Sequence, residues 1–167
     1  QEDICVGVPV DSRGSGGFDR TLGMFAQSLA IRSTITPAMS FSDLVTEVSE
    51  RCNHAYDNSE LPLDQLIGSL NLPRDLSRNA LFDTMFIYEL GDERSVQREG
   101  LSLTPVPLGI KASAFDLTLE ITLERGSMTC RMIYAASLFK PKTVAIWAQF
   151  YTHILSQVLT QPQLPIR

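Results

Sequence analysis

Between Pro73 and Phe82 the chain reads P-R-D-L-S-R-N-A-L-F, with an apolar run, Leu81 to Leu90, directly behind it. Arg74, Asp75, Ser77, Arg78 and Asn79 put two cations, one anion and two hydrogen-bonding groups within six residues, so the loop either caps something or binds something. An arginine stays protonated and makes a poor proton shuttle, which favours charge pairing over acid–base work. The simplest pairing is Asp75 with Arg78, while Ser77 and Asn79 satisfy the backbone in turns. Asp75 can offset Arg74 or Arg78 but not both, and the expectation is a brace that fixes the loop ahead of Leu81 and Phe82.

Other groups that could do chemistry are sparse. His54 and His153 each fall on the polar face of an expected helix, so neither reads as a general base. No H-E-x-x-H, no G-x-S-x-G and no cluster of His, Cys and carboxylates occurs; a metal centre or a hydrolase site has no support, and no catalytic residue is assigned. The glycine-rich stretch Asp11 to Asp19 lacks the P-loop lysine and is not G-x-G-x-x-G, so it reads as a connector. Cys5, Cys52 and Cys130 are odd in number and widely spaced, which suits reduced thiols acting as small core residues in a cytoplasmic protein.

The 167 residues, 44% hydrophobic and 20% charged, suffice for one folding unit with its own core. A net charge of −5 with scattered Lys and Arg argues against a nucleic-acid partner. No apolar run is long enough to span a membrane, and Q-E-D-I-C carries no basic signal region. The chain enters a strand-like run by Ile4, which suggests a piece of a longer polypeptide.

The elements that must position these groups follow from periodicity. Ile4 to Val10 suits a strand covered on both faces, with Pro9 limiting it to a strand end or an edge. Leu22 to Arg32 is ambiguous between strand and helix. Ser40 to Tyr56 is a helix with Ser40 and Asp43 placed as a weak variant of a capping box, and Phe41, Leu44, Val45, Val48, Cys52, Ala55 and Tyr56 as its core-facing stripe. Pro62 opens a short helix with Leu63, Leu66, Ile67 and Leu70 as its stripe. Leu81 to Leu90 is a strand, and Gly91 to Gly100 a charged loop. Leu101 to Leu108 carries Pro105 and Pro107, which makes it an edge or crossing segment. Phe115 to Glu124 alternates as a half-buried strand and turns through Arg125 and Gly126 into Met128 to Ala135, an antiparallel hairpin. A final helix runs from near Lys140 to Leu159, docking Val144, Trp147, Ala148, Phe150, Tyr151, Ile154, Leu155, Val158 and Leu159. Pro162 and Pro165 read as the start of a linker.

The stretch from Arg74 to Phe82 resembles the R-D-x-S-R-N-P-L-F motif of nonribosomal peptide synthetase condensation domains. Arg74, Asp75, Ser77, Arg78, Asn79, Leu81 and Phe82 match it, and Ala80 departs from the usual proline. Leu22 to Arg32 resembles the family's G-x-F-x-N-T motif through Gly23 and Phe25, with Gln27 for Asn and Ser28 for Thr. Asp57 to Leu66 is a degenerate form of H-Q-D-x-P-F-E, matching outright only at Pro62. F-D-L at Phe115 and Y-x-x-S-L-F from Tyr134 to Phe139 follow in the family's order.

The resemblance implies an α/β fold with a mixed β-sheet backed by helices, half of a chloramphenicol acetyltransferase-like, two-subdomain architecture. It makes Leu22 to Arg32 a strand, with Gln27 and Ser28 on opposite faces as candidate tunnel or substrate-facing residues. It identifies residues 1–167 as the C-terminal subdomain, which supplies one tunnel wall, a floor loop and a latch. The family's catalytic H-H-x-x-x-D-G motif does not occur in this sequence. The implied partners are the N-terminal subdomain, upstream and downstream peptidyl carrier proteins and an adjacent adenylation domain. No cofactor is expected to bind directly, since the carriers present phosphopantetheine. The implied reaction is amide-bond formation between carrier-tethered thioesters. Half of an epimerization or heterocyclization domain, or a non-catalytic module recruiting a partner protein, are the alternatives.

Overall fold

The computed structural model describes residues 2–13, 17, 18, 20–72, 75, 77–91, 96–98, 100–103, 106, 112–124 and 126–166. In chain order the elements are β1 (Asp3–Asp11), β2 (Ala26–Thr34), α1 (Phe41–Asp57), α2 (Leu63–Ser69), β3 (Thr84–Leu90), β4 (Val96–Arg98), β5 (Leu101–Leu103), β6 (Leu117–Glu124), β7 (Ser127–Tyr134) and α3 (Pro141–Thr160). Five strands form one mixed sheet in the order β2-β1-β3-β6-β7, while β4 and β5 pair with each other alone. Strands β1, β3 and β6 run parallel, and β2 and β7 antiparallel to them.

Register carries the apolar pattern across the sheet, because partners on neighbouring strands share a face. Val6 and Val8 lie opposite Ile31 and Leu29, and Phe86 and Tyr88 lie beside Leu119 and Ile121, which in turn face Met132 and Cys130. Helices α1 and α2 pack against β2, and α3 against β7. Leu29, Ile31, Ile121 and Val144 are buried at the centre.

Several sequence expectations are corrected by the packing. Strand β3 begins at Thr84, not Leu81, because residues 81–83 are taken up by the polar loop. Pro9 is neither terminal nor on an edge strand. Strand β1 lies between β2 and β3, but its ladder with β3 is registered only at Gly7, so Pro9 lies where the two strands have parted. Strand β6 also buries residues of its polar face, with Thr118 and Thr122 at 6% and 7% exposure. The segment expected as a charged loop contains β4, which turns through Gly100 at φ 75° into β5. That β5 stays out of the central sheet fits the crossing expected of Leu101 to Leu108, although Pro105 and Pro107 themselves fall outside the described residues. So do four residues of the glycine-rich connector (14–16 and 19) and Arg125; Gly126 is left-handed at φ 82°.

Both long helices expose part of the stripe assigned to them. Val45 and Tyr56 of α1 are 51% and 46% exposed, and Phe150, Ile154 and Leu159 of α3 are 59%, 55% and 77% exposed. Each helix meets the sheet along a narrower line than its wheel presents. Pro62 takes the cap position of α2 and Leu63 the first helical one, and Leu70, at the C-cap, is exposed. Cys130, expected in the core, is exposed.

The C-terminal residues are not a free linker. The Pro162 carbonyl accepts from the Ser42 amide at 3.0 Å, the Ile166 amide donates to Met39 at 2.7 Å, and Gln163 donates to the Ser42 hydroxyl at 3.0 Å. A proline cannot donate, but its carbonyl is free to satisfy an orphan amide in the first turn of α1.

Candidate functional site

Two groups of sequence-singled residues occupy opposite ends of the sheet. At the end where β1, β3 and β6 begin stands the polar loop. The Asp75 carboxylate accepts from the Ser77 amide at 2.9 Å and the Ser77 hydroxyl at 2.6 Å, an Asx turn whose hydrogen bonds hold its pKa below the ordinary value. Asp75 is thereby committed locally, and Arg78 pairs elsewhere. The Arg78 guanidinium donates through Nε at 3.0 Å and through a second nitrogen to Asp83, whose hydrogen bonds and charge raise the arginine's pKa further. The Asn79 amide donates to the other Asp83 oxygen at 3.3 Å. The expected Asp75–Arg78 pair is therefore replaced by Arg78–Asp83. The Arg78 amide still reaches the Asp75 carbonyl, at 3.4 Å. Arg74 lies outside the described residues.

The loop delivers Phe82 onto the sheet. Phe82 is 6% exposed, and a Cβ at Gly7 would lie 2.2 Å from its ring, so only glycine lets the ring lie on β1. The ring also packs on Phe115, with centroids 5.6 Å apart. Phe82-Asp83-Thr84 and Phe115-Asp116-Leu117 thus stand side by side, with Thr84 and Leu117 in register. A cavity of about 510 Å³ lies beneath them, bounded by Arg78, Asp83, Asp116, Phe139 and Trp147. Sequence reading missed Gly7 and Asp83, and met Asp116 only as the middle of F-D-L and on the polar face of its strand. The signal for the two aspartates was the Phe-Asp pair standing twice at the start of an apolar strand run.

At the other end, β2 is the strand that the resemblance implied, with Gln27 opposite Val10 and Ser28 opposite Pro9. Their side chains leave opposite faces. The Gln27 Oε1 is buried without a hydrogen-bond partner among the described residues, and Ser28 borders a groove of about 600 Å³ shared with α1 and α2. Phe25 lies under the Arg13 guanidinium, 4.6 Å from it, and Arg13 pairs with Asp11 at 2.9 Å. Where β1 and β3 part, a crevice of about 350 Å³ opens between Asp11 and Arg13 on one side and Tyr88 and Glu89 on the other, with Ala26 beside it.

The two ends do not meet. Asp83 is level with Cys5 along β1, and Gln27 with Val10; five residues of strand are about 17 Å. His54 and His153 are exposed, as their polar faces implied. Among the described residues no group of three His, Cys, Asp or Glu is placed to hold a metal ion, and no helix is long and apolar enough to cross a membrane.

The family model for the condensation domain matches residues 1–167, the whole chain. The chain belongs to the condensation-domain family. It is 38% identical over 166 residues to gramicidin S synthase 2 of Brevibacillus brevis, covering 99% of this chain and 4% of that one. With surfactin synthase subunit 1 of Bacillus subtilis (strain 168) it is 36% identical over 166 residues, 99% of this chain and 5% of that one. The chain thus spans a small part of each curated relative's length. Its fold matches a holo four-domain nonribosomal peptide synthetase bound to AMP and glycine, with TM-score 0.90 at 18% identity over 99% of this chain and 14% of that one. It also matches the X-domain complexed with OxyB from teicoplanin biosynthesis, with TM-score 0.86 at 23% identity over 99% of this chain and 37% of that one. The condensation-domain fold accounts for the mixed sheet and its helices.

Proposed function

We propose that residues 1–167 form the C-terminal subdomain of a condensation domain that joins carrier-tethered donor and acceptor thioesters through an amide bond. The observation that carries this reading is the family match over the full chain. The H-H-x-x-x-D-G histidine, expected in the N-terminal subdomain, would handle the proton as the acceptor amine attacks the donor thioester. This subdomain contributes one wall of the tunnel between the halves, a floor loop and the latch begun by residues 101–111. The crevice at the carboxyl ends of β1 and β3, with Gln27 nearby, is the part of that wall along the substrate path, since ligands of sheets with parallel strands gather at those ends. Arg13, Asp11 and Glu89 there can hydrogen-bond an incoming amide or amine. Phosphopantetheine arms enter with the upstream and downstream carrier proteins, and an adenylation domain supplies the acceptor residue.

The test is condensation by the intact domain carrying this sequence, with loaded upstream and downstream carriers and mass-spectrometric detection of the carrier-bound amide. Product is expected from the intact domain and none from residues 1–167 alone. An intact domain that binds both carriers without forming an amide would overturn the reading. It would favour a non-catalytic recruiting module, a role for which the shared X-domain fold leaves room.

A further inference from the structure

We propose that Asp83 is a positioning residue for this reaction, coupling the polar loop to the point where the excursion of residues 91–116 returns to the sheet. The proposal rests on the functional reading above. Its basis is that one residue holds two segments by different atoms. The Asp83 carboxylate takes Nε and a second nitrogen of Arg78 and the amide of Asn79, fixing the loop. The Asp83 backbone carbonyl takes the amides of Asp116 and Leu117, at 3.0 and 3.4 Å. The Asp116 carbonyl in turn accepts from the Ala135 amide at 3.0 Å, which ties the same point to the end of β7.

Burial decides which partner is the anchor. The Asp83 side chain is 19% exposed and that of Arg78 66%, so the carboxylate is the fixed element and the guanidinium an arm laid onto it. On either side of this aspartate Phe82 packs on Phe115 and Thr84 pairs with Leu117, so the carbonyl cannot turn without moving the ring that lies on Gly7. Strands β3 and β6 are parallel neighbours, so the chain between them must leave the sheet and come back at the end where β3 began. Asp83 stands at that return. Without its carboxylate the loop loses its tether, and the root of the crossing segment loosens with it. The expected consequence is a slower chemical step with little change in substrate affinity, because the residue lies about 17 Å along the sheet from the crevice.

The experiment compares the intact condensation domain with its Asp83→Asn and Asp83→Glu variants. Hydrogen exchange is read at the amides of Asp116 and Leu117, and steady-state kinetics with loaded carriers alongside. Asp83→Asn should raise exchange at both amides about tenfold and lower kcat while KM for either carrier stays within about twofold; Asp83→Glu, which keeps the carboxylate, should recover most of both. Unchanged exchange in Asp83→Asn overturns the coupling, and so does raised exchange with unchanged kcat. Should Asp83→Asn fail to fold, Arg78→Gln removes the same charge pair from the exposed side and must raise exchange at Asp116 and Leu117. A wild-type domain that makes no amide would sink the functional reading instead, leaving the exchange result as an independent reading of the tether.

Discussion

Arg78 and Gly7 are residues whose roles are set by one neighbour each. Arg78 reaches past Asp75 to Asp83, while one oxygen of Asp75 takes the Ser77 amide and hydroxyl. Arg78→Ala is expected to lower the denaturation midpoint of the intact domain and to lower its condensation rate only modestly. An unchanged midpoint with a rate lower by orders of magnitude would mean that Arg78 acts on substrate or carrier. Gly7→Ala puts a methyl 2.2 Å from the Phe82 ring, inside any permitted contact, and should cost about 1–3 kcal/mol in chemical denaturation. Shrinking the ring in Gly7→Ala/Phe82→Leu should make the double variant less destabilised than the sum of the single ones, since the two changes share one space.

The elements owe their ends to specific partners. Ser40 caps α1 by accepting from the Asp43 amide at 3.1 Å, while the Asp43 carboxylate accepts from the Ser40 amide and hydroxyl at 3.0 and 2.6 Å. Ser40→Ala should cost about 1 kcal/mol, measured by urea denaturation. Those same bonds from Ser40, side chain first, hold Asp43 below its ordinary pKa of 3.8. A carboxylate with a lowered folded-state pKa contributes stability that is present above 3.8 and is lost as the pH falls through the lowered value. The wild-type midpoint should therefore drop more steeply below that pH than the midpoint of Asp43→Asn. Truncation after Gln161 removes the Pro162 carbonyl from the Ser42 amide and should destabilise α1 in the same assay.

At the scale of the whole molecule, exposed apolar side chains occur not only on α1 and α3 but also on the segments that follow the strands. Leu22 and Met24 in the β1–β2 connection are 100% and 90% exposed, Leu90 at the end of β3 is 73%, and Met128 after the β6–β7 turn is 57% exposed. Leu101 and Val106 of the crossing segment add 54% and 77%. All lie on segments that leave the carboxyl ends of β1, β3 and β6, opposite the polar loop. Isolated, residues 1–167 should bind a hydrophobic dye and self-associate at high concentration. Monomeric behaviour without dye binding would count against an uncovered interface at that end.

Strands β1, β3, β6 and β7, the helices and the cap of α1 were legible in the sequence because they depend on neighbours within a few positions, whereas β2 was ambiguous by periodicity and β4 was expected as loop. Alternation from Leu117 to Leu123 marks a strand, and Ser40 with Asp43 marks a helix start, wherever they stand in a fold. The polar loop, expected as a brace, was legible as a charged, turn-forming segment for the same reason, and its resemblance to the R-D-x-S-R-N-P-L-F motif, with the weaker matches around it, pointed to the family. Tertiary structure alone decided what the brace holds. Asp83 became the partner of Arg78, Gly7 the seat of Phe82 and Asp116 the neighbour of Asp83 only when β1, β3 and β6 came side by side in parallel, a pairing set by the whole sheet. Likewise the wheel of α3 could not say which of its apolar residues would remain in solvent, nor Pro162 that its carbonyl would satisfy the Ser42 amide in the first turn of α1. A periodic pattern records which face is apolar, while the surface that meets it is supplied by distant parts of the chain.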